Sequence, residues 1–148
     1  MKENKVGFGM SRIKTEQFAI IENACIENEE VQLGAGIGYE LDDETKIASC
    51  IVRFEFRMQQ APFLLISVRC EFHIDDEAWA DFTCAEKKSV CLPKGFASHL
   101  AVITVGTARG VLHAKTENTK YNEYFLPTIN VTEIVTDDIV FELAEKSE

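Results

Sequence analysis

The chain has 148 residues, with 15 Lys and Arg against 25 Asp and Glu, a formal net charge of −10. Hydrophobic residues make up 46%, too many for a disordered chain, and the length fits one domain of roughly 100–150 residues that needs no disulfide or metal staple. The shortage of Lys and Arg argues against a nucleic-acid partner and an anionic membrane surface, leaving solubility or recognition of a basic partner as the use of the charge.

The residues up to Ser11 include lysines but no apolar run of leader length. No stretch approaches the roughly 20 apolar residues of a membrane span, so a cytoplasmic protein without membrane insertion is expected. Arg12 to Glu22 alternates unevenly and reads as a strand. From Val31 the alternation is strict. Val31, Leu33, Ala35, Ile37, Tyr39 and Leu41 share one face, and Gln32, Gly34, Gly36, Gly38 and Glu40 share the other. After a turn at Leu41–Thr45, Cys50, Val52, Phe54, Phe56 and Met58 point one way, with Arg53, Glu55, Arg57 and Gln59 opposite. Gln60-Ala61-Pro62 interrupts the pattern. Leu64, Ile66, Val68, Cys70, Phe72 and Ile74 then point inward, and Ser67, Arg69, Glu71 and His73 outward. Short connections imply antiparallel neighbours, so a four-stranded meander is expected. Its charged face reads as a solvated face of mixed Arg and Glu.

Asp75 to Val90 carries Trp79 and Phe82 without strand logic and reads as a long crossing loop. Pro93 then opens a helix that runs to about His113, with Phe96, Leu100, Ile103 and Val111 at helical spacing. Ala97, Ala101, Thr104 and Ala108 form a small set. Gly106 and Gly110 each cost an interior helix up to about 1 kcal/mol unless another backbone approaches there. Packing against the sheet on one side and a second subunit's helix on the other is expected, with Ala101, Gly106 and Gly110 at the oligomer interface. Leu126 to Val131 is extended, because Leu126 precedes a proline. Residues 132–143 fit helix or strand, and a short helix from Asp137 or a little before it is expected.

Little here points to chemistry. The five cysteines, Cys25, Cys50, Cys70, Cys84 and Cys91, are odd in number and lack a Cys-x-x-Cys pair, against zinc and redox motifs. Cys50 and Cys70 read as buried small hydrophobes. His73, Asp75, Asp76 and Glu77 cluster, but no loop glycine organises them as in a calcium hand, and a charged strand end is the plainer reading. Gly34-Ala35-Gly36-Ile37-Gly38 is no phosphate loop, since it lies inside an alternating strand. No metal, cofactor or catalytic residue is expected, which favours a binding protein.

Three stretches carry a resemblance. They are Leu92-Pro93 opening a long helix with His99 a turn in, Arg109-Gly110 late in that helix, and Phe125-Leu126-Pro127-Thr128-Ile129-Asn130-Val131. Preceded by four antiparallel strands, they resemble the SecB family of protein-export chaperones over about residues 10 to 143, within one domain spanning 1–148. The chain departs from the family at Val131, where phenylalanine is usual. The resemblance implies an α+β fold, a four-stranded antiparallel sheet with a long helix and a short C-terminal helix on one side. It implies an ATP-independent chaperone for unfolded polypeptides, assembled as a homotetramer, a dimer of dimers. It also implies a partnership with a SecA-type motor in export, or protection of an antitoxin. Client grooves would be lined by Trp79, Phe82, Phe125, Ile129 and Ile134, with core packing as the plainer reading of Trp79 and Phe82.

Two other readings stand beside this one. A dedicated inhibitor or antitoxin companion would bind one partner without general chaperone activity. A hot-dog-type enzyme also wraps a sheet around a long helix, but places that helix early, whereas here it comes late. The negative charge gathers in Glu27–Glu30, Asp42–Glu44, Asp75–Glu77 and the C-terminal segment. A basic partner should therefore meet the rim of the sheet rather than its face.

Overall fold

A computed structural model describes residues 6–84, 86 and 88–143. The ends of the expected single domain, 1–5 and 144–148, lie outside the described residues. Four long strands form the main sheet: β1 (Phe8–Ile20), β2 (Gln32–Asp42), β3 (Ile47–Met58) and β4 (Ala61–Ile74). All pairs are antiparallel, in the order β1-β4-β3-β2. The meander expected over four strands therefore holds only for β2–β4. β1 pairs with β4, so the chain must cross the end of the sheet, through residues 21–31, to reach the far edge.

The period-two alternation sets the core. Cys50, Val52, Phe54, Phe56 and Met58 on β3, with Leu64, Ile66, Val68, Cys70, Phe72 and Ile74 on β4, are all buried. These central strands are covered by α2 (Lys94–Thr116), which presents Ala97, Ala101, Thr104 and Ala108 to them together with Leu100, Val105 and Leu112. Small side chains on that face let a helix lie close to a sheet. The buried hydroxyls of Thr104 and Thr116 donate to the Leu100 and Leu112 carbonyls, both at 2.8 Å, so neither is left unpaired. By length and composition α2 could cross a bilayer, but 44% of its most apolar window is buried within the protein.

The expected crossing loop after Ile74 is instead ordered structure. α1 (Asp76–Phe82) is followed by β5 (Thr83–Cys84) and β6 (Ser89–Leu92). Trp79 and Phe82 supply the reason: both are buried, one turn apart on α1, and they anchor the segment to the core. The Trp79 indole donates to Asp43 Oδ1 at 2.8 Å, and Phe82 packs on Phe96 at 5.4 Å between ring centroids.

The tail contains both candidate structures, in the reverse of the expected place. α3 (Val131–Ile134) is a single helical turn, opened by Asn130, whose side chain accepts from the Thr132 amide. The helix expected from Asp137 is a strand, β7 (Ile139–Glu142), which pairs with β6 in a three-stranded sheet ordered β5-β6-β7. Asp138 lies beside this strand and accepts from the Lys94 amide at 2.8 Å, capping α2 across 44 residues of sequence. Pro93 at the cap position has no side-chain acceptor of its own, so the tail supplies one.

Candidate groove along the β2 edge

The crossing segment 21–31 is pinned at several points. The Ile21 amide donates to the Phe63 carbonyl at 2.8 Å, the Ile26 amide to Met58 Sδ at 3.1 Å, and Gln59 Nε2 to Glu29 Oε1 at 3.1 Å. Asn28 turns the chain with φ 63°, a conformation Asn tolerates better than most residues. Beneath this arch lies a groove of about 550 Å³, lined by Cys25, Ile26, Val31, Met58, Tyr124 and the charged Glu27, Glu29, Lys120 and Glu123. Tyr124 packs edge-on against Phe63 at 4.9 Å and forms one wall. Burial, then neighbouring Glu123, pushes its hydroxyl up to about 12, so it stays protonated and neutral in the groove. Three carboxylates against one ammonium make the rim acidic.

From Tyr124 the tail runs beside the inner face of β2. Arg109 holds its start, donating to the Leu126 and Pro127 carbonyls, both at 2.8 Å. Tyr124 packs on Phe56, which is paired with Leu33, and further along Ile134, Val135 and Ile139 share a cleft of about 160 Å³ with Ile37 and Tyr39. The tail thus follows the edge strand from its Leu33 end to its Tyr39 end. The Tyr39 hydroxyl closes that far end by donating to the Ala97 carbonyl of α2 at 2.6 Å. Burial raises the pKa of this hydroxyl above the usual tyrosine value. Tyr39→Phe is expected to cost about 1 kcal/mol, the worth of one hydrogen bond, read as a lower urea midpoint.

The two sheet edges differ. β1 carries two register shifts, between Met10 and Arg12 and between Thr15 and Gln17. β2 pairs with β3 over eleven residues without a shift, and has no proline or lysine. Bulges and edge lysines block strand addition, so β1 is protected and β2 is open. An extended peptide could lie along β2, with apolar side chains over Leu33, Ala35 and Ile37 and one end in the acidic-rimmed groove.

The expected client residues are divided by the fold. Ile134 reaches the cleft beside Ile37 and Tyr39 and is 40% exposed. Phe125 follows Tyr124 and is 67% exposed, and Ile129 is half-buried against the core. Trp79 and Phe82 stand elsewhere, buried on α1, and line neither cavity. The residues not anticipated are Ile26, Val31, Leu33 and Met58. Val31, Leu33 and Met58 are legible only as inward strand positions, and Ile26 only as an apolar side chain in the largely polar connection 21–31.

The expected interface residues are divided as well. Ala101 is fully buried against the sheet, while Gly106 and Gly110 are exposed, with nothing within 4 Å of where a Cβ would stand.

No protein-family model and no curated protein matches the sequence. The structure is similar to a SecB-like chaperone from Mycobacterium tuberculosis, solved in complex with a ChAD peptide from an antitoxin. The TM-score is 0.52 at 10% identity, covering 82% of this chain and 90% of that one. It also matches a Streptococcus agalactiae protein of unknown function, with a TM-score of 0.37 at 12% identity over 85% of this chain and 98% of that one. The first likeness establishes a SecB-like fold.

Proposed function

We propose that this protein is an ATP-independent holdase that captures extended, non-native polypeptide segments along β2. The carrying observation is an unprotected edge strand bordered by an apolar, acidic-rimmed groove on a SecB-like fold. Main-chain bonds to the edge would supply sequence-tolerant affinity, the groove would seat an apolar side chain, and Glu27, Glu29 and Glu123 would draw basic segments and speed their capture. The test dilutes a chemically unfolded client into buffer with the protein and without ATP, and follows light scattering. Suppression of aggregation at equimolar protein is expected, and none would overturn the proposal.

A second reading is favoured by the fold's likeness to a chaperone solved with an antitoxin peptide. Here the protein guards one dedicated partner, such as an antitoxin. Pull-down from native lysate separates the two: many nascent chains support the general chaperone, and one stoichiometric partner supports the companion. Service to a SecA-type motor in the cytoplasm belongs to the first reading.

The same proposal includes a homotetramer, with its contact surface moved from the expected set. Ala101 has no accessible surface, so the contact would be built from Val102, Gly106 and Gly110 on α2 beside Met10 and Ile13 on β1. Val102 is 55% exposed, apolar surface that such a contact would cover. Val102→Glu is expected to lower the mass measured by light scattering below that of the tetramer. A monomeric mass for the unsubstituted protein would refute the assembly.

A further inference from the structure

The opposite, outward face of the sheet carries a feature that client capture does not use. Gly34, Gly36 and Gly38 occupy successive outward positions of β2. Glycine weakens a strand interior, and three at successive outward positions leave this edge backbone bare enough for close approach. A Cβ at Gly36 or Gly38 would meet nothing within 4 Å, so no part of the described protein fills that space.

Beside this bare floor stand Arg53, Glu55 and Arg57 of β3. Gly36 is paired with Arg53 and Gly34 with Glu55. Glu55 Oε1 accepts from Arg53 Nε and Nη2 at 3.0 and 2.8 Å, and Oε2 accepts from Arg57 Nε at 3.0 Å and from Arg57 Nη2. Two guanidinium groups therefore share one carboxylate, and Nη1 of each has no partner among the described residues. Arg69 shows the reverse balance, one cation held by Glu16 and Glu40. Positive charge is thus in local surplus at Arg53 and Arg57, on a chain whose net charge is −10. The Arg57 guanidinium lies 3.4 Å from where a Gly34 Cβ would stand, so the glycine lets it lie along β2. Together Gly34, Ala35, Gly36, Arg53, Glu55 and Arg57 line a groove of about 330 Å³.

We infer that this groove docks an acidic segment of a partner polypeptide, with Arg53 and Arg57 each taking a carboxylate over the glycine floor. Arg53 and Arg57 start four residues apart on one strand, but both guanidinium groups turn onto the Glu55 carboxylate and so converge. Carboxylates at i and i+2 of an extended peptide, about 6.6 Å apart on one face, match this convergence. Each arginine would then have a carboxylate of its own, and bidentate geometry would orient it. A nucleic-acid strand fits less well, because its continuous phosphates would meet the acidic remainder of the surface.

This surface is independent of the client groove, and one set of experiments tests it. The blocked peptide Ser-Glu-Ser-Glu-Ser is titrated into the intact chain while the Arg53 and Arg57 Nε–H signals are followed by nuclear magnetic resonance. Saturable, salt-sensitive shifts at both are expected, with none from Ser-Lys-Ser-Lys-Ser. Gly36→Val keeps strand propensity and fills the floor, and Arg53→Gln removes one cation. Each is expected to weaken binding about tenfold or more, as loss of a charge-assisted pair does, while Arg53→Gln, which lies off the β2 edge, leaves client capture by light scattering unchanged. The inference is overturned if the acidic peptide gives no shift, if the basic peptide gives the same shift, or if both variants bind as the parent does. It is also overturned if an RNA oligonucleotide shifts these signals more strongly than the peptide.

Discussion

Replacing Ile26 and Val31 together with aspartate is expected to reduce client capture by about a hundredfold or more, with little change in the melting temperature. Both side chains line the groove under the crossing segment, and each is 38% exposed in the free protein. Burial of an apolar side chain of this size contributes about 1.5–3 kcal/mol when complete, so covering the exposed parts of two gives roughly 2 kcal/mol. The introduced carboxylates add a desolvation cost of at least about 1 kcal/mol. Their sum is near two powers of ten in affinity. Folding should tolerate the change, because both positions lie in the connection between β1 and β2, outside the ladders. Capture of an unfolded client is measured by fluorescence anisotropy, and stability by thermal unfolding. Unchanged capture in a folded double variant would remove the groove from the function.

The second large effect is alkaline. Cys50 is fully buried, directly opposite Cys70 and beside Tyr39 in the strand register, with Thr104 of α2 within hydrogen-bonding reach. Burial is the main reason its thiol is pushed up from 9.0 to about 12, with Cys70 adding to it and the polar contacts with Thr104 and Tyr39 offsetting only part. The folded state therefore holds a proton that the unfolded chain releases. Stability from this group is complete below about pH 9 and falls as pH rises towards 12, because the unfolded state binds fewer protons across that window. At about 1.4 kcal/mol per pH unit, the loss is on the order of 4 kcal/mol. The Tyr39 hydroxyl, also raised by burial, acts in the same direction. Urea midpoints measured under reducing conditions across this range should fall steeply. Cys50→Ala should flatten the slope, while losing about 1 kcal/mol at neutral pH through the smaller side chain. An equal slope in parent and variant would assign the titration to another group.

Much of the fold was legible because strand alternation is a local property. Cys50 to Met58 and Leu64 to Ile74 point inward where their period of two put them, and α2 begins after Pro93 as its capping signal indicated. The tail was less legible. Ile139–Glu142 spans only four residues, and its strand conformation depends on pairing with Ser89–Leu92, some fifty positions earlier. Residues 75–90 read as a loop because α1 is only seven residues long, and Trp79 and Phe82 have little helical pattern to reveal until they are packed. The strand order escaped for a related reason. A connection of the length of 21–31 suits a hairpin or a crossing, and the choice rests on which neighbour gives β1 its ladder.

Sequence by itself determined which face of each strand is apolar, that the central strands are antiparallel, and that acidic residues outnumber basic ones. Side-chain direction along a strand and net charge need no knowledge of distant residues. Only the tertiary structure decided which apolar residues remain available to a partner. Trp79 and Phe82 disappear into the core because α2 and β6 close over them. Ile26, Val31, Leu33 and Phe125 stay partly uncovered because β2 is an edge, reached by a crossing and bordered by a tail that covers it incompletely. Burial depends on what packs above a side chain, and long-range packing, unlike alternation, leaves no period in the sequence.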